Sequence, residues 1–197
     1  LAVRSLRVAL VEAYALGSGT TGSGFAWINA TSKTNDNEDY FQLNAAAVAY
    51  YEKLTLEHRA ENLGVHSGGT LYWARSSDTT QLTALRGRAE RLQYLNYPYA
   101  TLSLGEMEVL EPSLRFRRLP TEDIEGLYAP ADKWVEPMRL LRFLAGHARN
   151  HNAILREYCP VESFYVDTLG SVSMVRAGGA EYATRNVILA GGAQTPS

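Results

Sequence analysis

Glu12 closes an apolar run of Val8, Ala9, Leu10 and Val11, and four glycines follow it: Gly17, Gly19, Gly22 and Gly24. Ser18, Thr20, Thr21 and Ser23 stand among those glycines. A carboxylate at the end of a buried strand needs a partner, and a ribose supplies one, because both its hydroxyls can donate to the same group. Glycine lets a ligand come close to the backbone, and the neighbouring hydroxyls can donate to phosphate or flavin oxygens. Phe25, Ala26 and Trp27 then suit the edge of a flat ring. Residues 7–30 are therefore the part of the chain with nucleotide-binding chemistry. Four consecutive apolar residues predict that its strand is parallel and buried on both faces.

A second chemistry fits part of the same residues. Gly17-x-Gly19-x-x-Gly22 is a G-x-G-x-x-G after a strand, the pattern of a nicotinamide pyrophosphate loop. Three features oppose it. Tyr14, Ala15 and Leu16 separate the strand from the first glycine, residues 23–33 lack a helical apolar period, and no second strand ends in an acid about 20 residues on. His147 and His151 have metal-ligand spacing on a helix, but no third ligand stands near them and imidazoles also favour helix C-termini. No metal site is expected.

The elements that would position this chemistry follow from the apolar period. Asp39, with Gln42 three residues later, marks a helix that Gly64 can stop, with Ala45, Ala46, Val48, Ala49 and Leu54 on its apolar face. Residues 65–75 read as one β-rich segment with a bulge or close approach at Gly68 and Gly69. A helix is expected over 80–96 and a short one after the capping box of Ser103 and Glu106. Pro137 suits the first turn of a helix over 138–150 that buries Leu140, Leu141, Phe143, Leu144 and Ala148. The period then switches to strands, with turns near Gly170 and Gly178. These are expected to form a small meander that begins at Ile154 and leads to a buried strand over 186–190 ending in Gly191 and Gly192.

The run Val11-Glu12-Ala13, followed by Gly17-Ser18-Gly19-Thr20-Thr21-Gly22-Ser23-Gly24-Phe25-Ala26-Trp27-Ile28-Asn29-Ala30, resembles the second strand and following loop of the D-amino-acid oxidase (DAO)-type FAD-dependent oxidoreductases. It is similar to their glycine oxidase-like and sarcosine oxidase-like branch. Gly68-Gly69-x-Leu71-x-Trp73 and the Glu136-Pro137 entry to a long helix resemble later parts of the same family. The resemblance implies an α/β fold: an incomplete Rossmann-like FAD-binding domain with a β-meander, formed by residues 1–64 and 151–197, and an inserted α+β substrate domain over 65–150. It implies FAD as cofactor, held by Glu12, Ala13, Gly19, Thr20, Thr21, Ser23, Phe25, Ala26 and Trp27, with Val161 touching the adenine and Ala190 and Gly191 beneath the pyrophosphate. The implied substrate is a small amine or amino acid, and Tyr72, Trp73 and Trp134 are candidates to line its pocket. No catalytic acid or base is named. Leu1 to Leu6 resemble the last turn of the family's first helix, so the chain reads as an internal fragment that alone binds FAD weakly or not at all. Two rival functions stay open: a module pairing with a flavoprotein partner, and the nicotinamide dehydrogenase.

Composition sets outer bounds. A net charge of −2 gives no electrostatic footprint for nucleic acid. No run of about 18 apolar residues is present to span a membrane. The single Cys159 excludes an internal disulfide, and a cytoplasmic setting is the default. The oligomeric state is left open.

Overall fold

The computed structural model describes residues 6–35, 37–114 and 123–192. Residues 1–5 of the expected helical turn lie outside them. In chain order the first elements are β1 (Ala9–Val11), α1 (Thr20–Ser23), β2 (Ala26–Ile28), α2 (Glu38–His58), α3 (Ala60–Leu63), β3 (Val65–Ser67) and β4 (Thr70–Arg75). There follow α4 (Thr79–Tyr94), β5 (Ala100–Leu102), α5 (Leu104–Leu110), β6 (Ile124–Ala129), β7 (Lys133–Val135) and α6 (Pro137–Asn150). The chain then continues through β8 (Ile154–Arg156), β9 (Val161–Val166), β10 (Val172–Ala177) and β11 (Ala180–Ala183). Two compact units result, one of Leu1–Phe25 with Pro137–Ser197 and one of Ala26–Glu136. The expected boundaries at 64/65 and 150/151 therefore move to 25/26 and 136/137. The reason is local: the strand after the glycine loop pairs with β7, and α6 leads directly into β8.

In the first unit β1 pairs in parallel with β8, Ala9 against Ile154 and Val11 against Arg156. Parallel strands need a crossover, and α6 supplies the helix that leads into β8. Pro137 opens α6 as expected, Ala145 is its buried centre, and Leu144 faces outward. The expected burial of residues 8–11 on both faces is not observed. Ala9 is exposed and Leu10 is 45% exposed, because β8 is the one strand that pairs with β1 among the described residues. Ile154 also leaves the expected meander, which consists of β9, β10 and β11 in antiparallel order. Residues 186–190 form no strand among the described residues, and Val187, Ile188 and Leu189 are exposed. An apolar run becomes a strand only where a neighbouring ladder satisfies its backbone groups, and none adjoins this one.

The second unit holds two antiparallel sheets, β2-β7-β3 and β4-β6-β5. Alternation divides the second sheet between two cores. Ala74 and Leu127 pack with Phe41 of α2, Leu85 and Leu92 of α4, and Tyr97. Ile124 and Leu71 pack on the other side with Met107 of α5. Three helix starts are capped by side chains: Asn37 accepts from Asp39 N–H at 2.8 Å, Asp78 from Gln81 N–H at 2.9 Å, and Ser103 with Glu106 forms the expected reciprocal box. That box holds the Glu106 carboxyl below the usual carboxylate range through hydrogen bonds from the Ser103 hydroxyl and N–H. The cap of α2 is Asn37 rather than Asp39, and the long helix breaks at Arg59, whose φ is 64°. The expected single strand over 65–75 is two strands in different sheets. Gly69, at φ +66°, makes the turn between them, and a Cβ there would overlap the Tyr128 ring.

Candidate functional site

The residues at the end of β1 are arranged by a short second ladder. Glu12 N–H donates to Arg156 O at 2.9 Å, Cys159 N–H to Glu12 O at 2.8 Å, and Tyr158 N–H to Tyr14 O at 3.0 Å. The Glu12 side chain folds over its own turn, with Oε1 accepting from Tyr14 N–H at 3.0 Å. Among the described residues nothing engages its second oxygen. This leaves the half-buried carboxylate with accepting capacity beyond the turn. Val161 lies two residues past Cys159, so the structure brings Glu12, Ala13 and the start of β9 to one end of the parallel pair. Ala190 and Gly191 are exposed and belong to no helix or strand.

The glycines of the loop fall into two kinds. Gly17, at φ +80°, lies against α6, where an added Cβ would stand 2.6 Å from Met138 Sδ and 2.7 Å from Leu141 Cδ2. A Cβ on Gly22 would overlap the Gly17 carbonyl oxygen, and one on Gly24 would stand 3.1 Å from Thr20 O. These three glycines serve the packing of the loop. At Gly19 a Cβ would meet nothing within 4 Å. Open space beside its backbone, with the exposed hydroxyls of Thr20, Thr21 and Ser23 just beyond, is what a phosphate or ribityl chain requires. Glu157, which the sequence does not single out, anchors the loop by accepting from Leu16 N–H at 2.7 Å. The Gly17-x-Gly19-x-x-Gly22 pattern opens a helix of four residues, Thr20–Ser23, not the long helix of a nicotinamide fingerprint. Judged by the free Glu12 oxygen, the open Gly19 and the exposed hydroxyls, the residues present fit the ribose and phosphate chemistry of FAD.

Past the loop, Phe25 closes the first unit and is 79% exposed, while Ala26 and Trp27 open the second. Trp27 stands directly across from Trp134, and Trp134 across from His66 on β3. The neighbours Ala26, Ile28, Val135 and Val65 are buried or half-buried, so Trp27, Trp134 and His66 share the more open face of that sheet. The His66 ring lies 3.9 Å from the Trp134 ring in a near-parallel stack, and its Nε2 is 2.8 Å from Glu136 Oε1. Trp27 Nε1–H donates to Thr70 Oγ1 at 3.0 Å, and its ring lies 6.4 Å from Tyr72. Tyr72 and Trp73 are consecutive on β4 and point to opposite faces, so one pocket wall cannot hold both. Tyr72 joins the helix side, under the Arg88 guanidinium at 4.1 Å. His151 Nδ1 lies 2.9 Å from His147 O. No group of three or more metal-ligating side chains occurs among the described residues.

Sequence reading missed a buried polar cluster in the second unit. Asp132 is wholly buried, and its carboxylate accepts from the Thr31 hydroxyl, from Tyr97 Oη–H at 2.8 Å and from Ala30 N–H at 3.4 Å. Tyr72 Oη lies 3.2 Å from Thr31 Oγ1. Burial, with the charge and hydrogen bond of Asp132 added, pushes the Tyr97 phenol far above the ordinary tyrosine range. Burial also raises Tyr72, against the opposing hydrogen bond of Thr31 and charge of Arg88. The signal in the sequence was slight: a lone acid between Ala131 and Lys133.

Comparison with known proteins gives the family of the chain. The family model for FAD dependent oxidoreductases (DAO) matches residues 1–197. Glycine oxidase of Geobacillus kaustophilus (strain HTA426) is 28% identical over 202 residues, covering 98% of this chain and 50% of that protein. The chain thus spans about half the length of the curated relative it matches. The crystal structure of glycine oxidase from Geobacillus kaustophilus superposes with a TM-score of 0.77 at 23% identity, over 94% of this chain and 48% of the other. L-proline dehydrogenase from P. horikoshii does so with a TM-score of 0.75 at 20% identity, over 93% of this chain and 46% of the other. Those superpositions show a Rossmann-like α/β fold. The chain belongs to the FAD dependent oxidoreductase (DAO) family, whose cofactor is FAD.

Proposed function

We propose that this chain supplies the adenosine-binding strand end, the flavin loop and part of the substrate-side wall of an enzyme that oxidises the carbon–nitrogen bond of an amine or amino acid. The observation that carries this reading is the Glu12 carboxylate, whose second oxygen is free among the described residues, placed before a loop whose one open glycine, Gly19, is flanked by exposed hydroxyls. FAD, held by these residues, would supply the two-electron acceptor, taking up at flavin N5 the hydride from the carbon that bears the nitrogen, and hydrolysis would then give a carbonyl product.

The chain's own residues bind and orient. Glu12 accepts the ribose hydroxyls, with Ala13 and the Val161 backbone beside the adenosine. Gly19 allows the pyrophosphate or ribityl chain close to the backbone, where Thr20, Thr21 and Ser23 donate to its oxygens. Ala190 and Gly191 belong to the pyrophosphate side in this reading. Phe25, Ala26 and Trp27 stand at the isoalloxazine edge, and Trp134 lies on the same sheet face as Trp27, where an amine substrate meets aromatic surface. Of the pair on β4, Tyr72 is the better candidate for the pocket, since its ring adjoins Trp27. The first unit is assigned to the adenosine and pyrophosphate of the cofactor, and the second to the isoalloxazine edge, through Ala26 and Trp27, and to the substrate. The free amine provides the electron pair that drives hydride departure, so no side-chain base is required.

The test is a screen of amines and amino acids against the whole protein, under anaerobic conditions, for bleaching of the visible flavin absorbance. Bleaching by a primary or secondary amine, with release of a carbonyl product, is the expected outcome. A protein that copurifies with no flavin and instead consumes NAD contradicts the proposal.

A further inference from the structure

The Asp132 carboxylate is buried completely, yet no lysine, arginine or histidine pairs with it among the described residues; its neighbour Lys133 pairs instead with Glu52 at 2.7 Å. Burying a carboxylate without a counter-ion is costly, and hydrogen-bond donors must be aimed at it to make it tolerable. Three are: the Thr31 hydroxyl, the Tyr97 hydroxyl and the Ala30 amide. Its backbone is engaged as well, since its carbonyl accepts from Gly69 N–H at 3.2 Å and its N–H donates to Ala129 O at 3.4 Å. Such a group does little for stability that an apolar residue could not do, but it demands one geometry.

Where the donors come from shows what that geometry fixes. Ile28 pairs with Lys133, so Asp132 stands at the open end of the β2–β7 ladder and holds Ala30 and Thr31, the second and third residues past β2. The ladder is only three residue pairs long, so few backbone bonds hold its register, and the buried Ile28 and Val135 and the Asp132 hydrogen bonds hold it with them. A slip of one residue would turn Trp27 from the open face of the sheet to the face that carries Ile28 and Val135.

We infer that Asp132 is a positioning residue for the flavin site: it pins the β2–β7 register and thereby keeps Trp27 on the face where the proposed function sets it against the isoalloxazine edge. The inference rests on that placement of Trp27, and the tests separate the two. Hydrogen exchange is measured on the chain without cofactor, and flavin emission on the FAD-loaded whole protein, for wild type, Trp27→Phe, Asp132→Asn and Thr31→Val. Trp27→Phe calibrates emission, since a tryptophan beside the ring quenches it. Asp132→Asn is expected to accelerate exchange about tenfold at Ala30 and in β2, as loss of one charge-assisted hydrogen bond does, and to leave α4 and α5 protected as in wild type. It is also expected to raise flavin emission toward the Trp27→Phe level. Should Asp132→Asn fail to fold, Thr31→Val removes one donor at nearly constant shape and is expected to give the same pattern at smaller size. Unchanged exchange in β2 overturns the inference, and so does an acceleration spread evenly over the second unit with emission unmoved. If Trp27→Phe itself leaves emission unchanged, the placement of Trp27 at the flavin fails, and with it the cofactor part of the inference.

Discussion

Replacing loop glycines one at a time separates residues that shape the loop from the residue proposed to face the cofactor. A Cβ added at Gly22 overlaps the backbone oxygen of Gly17, which cannot swing aside as a side chain would. Gly22→Ala should therefore cost about 1–3 kcal/mol, the usual penalty of overpacking a tight contact. At Gly17 the added atom meets Met138 and Leu141, both flexible, but the φ of +80° adds roughly 1–2 kcal/mol for any L side chain, so the expected loss is of similar size. Gly19 differs on both counts. Its φ is −84° and the space beside it is open, so Gly19→Ala should leave stability within about 0.5 kcal/mol. The same methyl would stand where the proposed ligand approaches, which at about 1–3 kcal/mol weakens FAD binding roughly 10- to 100-fold. Urea unfolding followed by far-UV circular dichroism gives the stabilities, and FAD titration gives the affinities. Gly19→Ala with full stability and full FAD affinity would refute the assignment of Gly19 to the cofactor. Gly19→Ala as unstable as Gly22→Ala would refute the packing argument.

Three further outcomes follow from the second unit. Tyr97 and Tyr72 have raised pKa values in the fold, so they stay protonated where unfolded tyrosines ionise; their contribution is complete below about pH 10 and is lost as pH rises above it. Urea midpoints between pH 9 and 11 should fall more steeply for wild type than for Tyr97→Phe, and equal slopes would contradict this. Asn37→Ala should cost about 1 kcal/mol by removing the cap of α2, read from the same unfolding curves. Lys133 is buried against the more exposed Glu52, so Glu52→Ala, which strands the ammonium, should destabilise more than Lys133→Met, which removes it; the reverse order would show that the pair is not what holds α2 to β7.

What could be read from the sequence was whatever is encoded within a few residues. The Ser103 and Glu106 box, the Pro137 helix start and the acid-ended strand with its glycine loop all depend on local chemistry and appear in the structure, whereas Gly64 caps the short α3 and not the long helix expected to end there. Arg59 at φ 64° breaks α2 with no residue preference to announce it. The choice of Asn37 over Asp39 as cap turns on two residues of nearly equal capping strength. The pairing of β1 with β8 and the anchoring of Leu16 by Glu157 link residues about 140 positions apart, beyond any periodicity. Residues 186–190 misled because an apolar run reports what a strand could bury, not whether a neighbouring strand is there to pair with it. Asp132 was invisible because its three donors come from Ala30, Thr31 and Tyr97, which only the folded sheet brings to one point.

The Glu12 carboxylate is the proposed acceptor for the adenosine ribose. The most direct measurement of that role is the FAD dissociation constant of the whole protein, wild type against Glu12→Gln, at constant salt, with far-UV circular dichroism confirming both folds. Loss of charge-assisted hydrogen bonds from the ribose predicts an affinity about 10- to 100-fold weaker for the variant. Equal affinities would contradict the account.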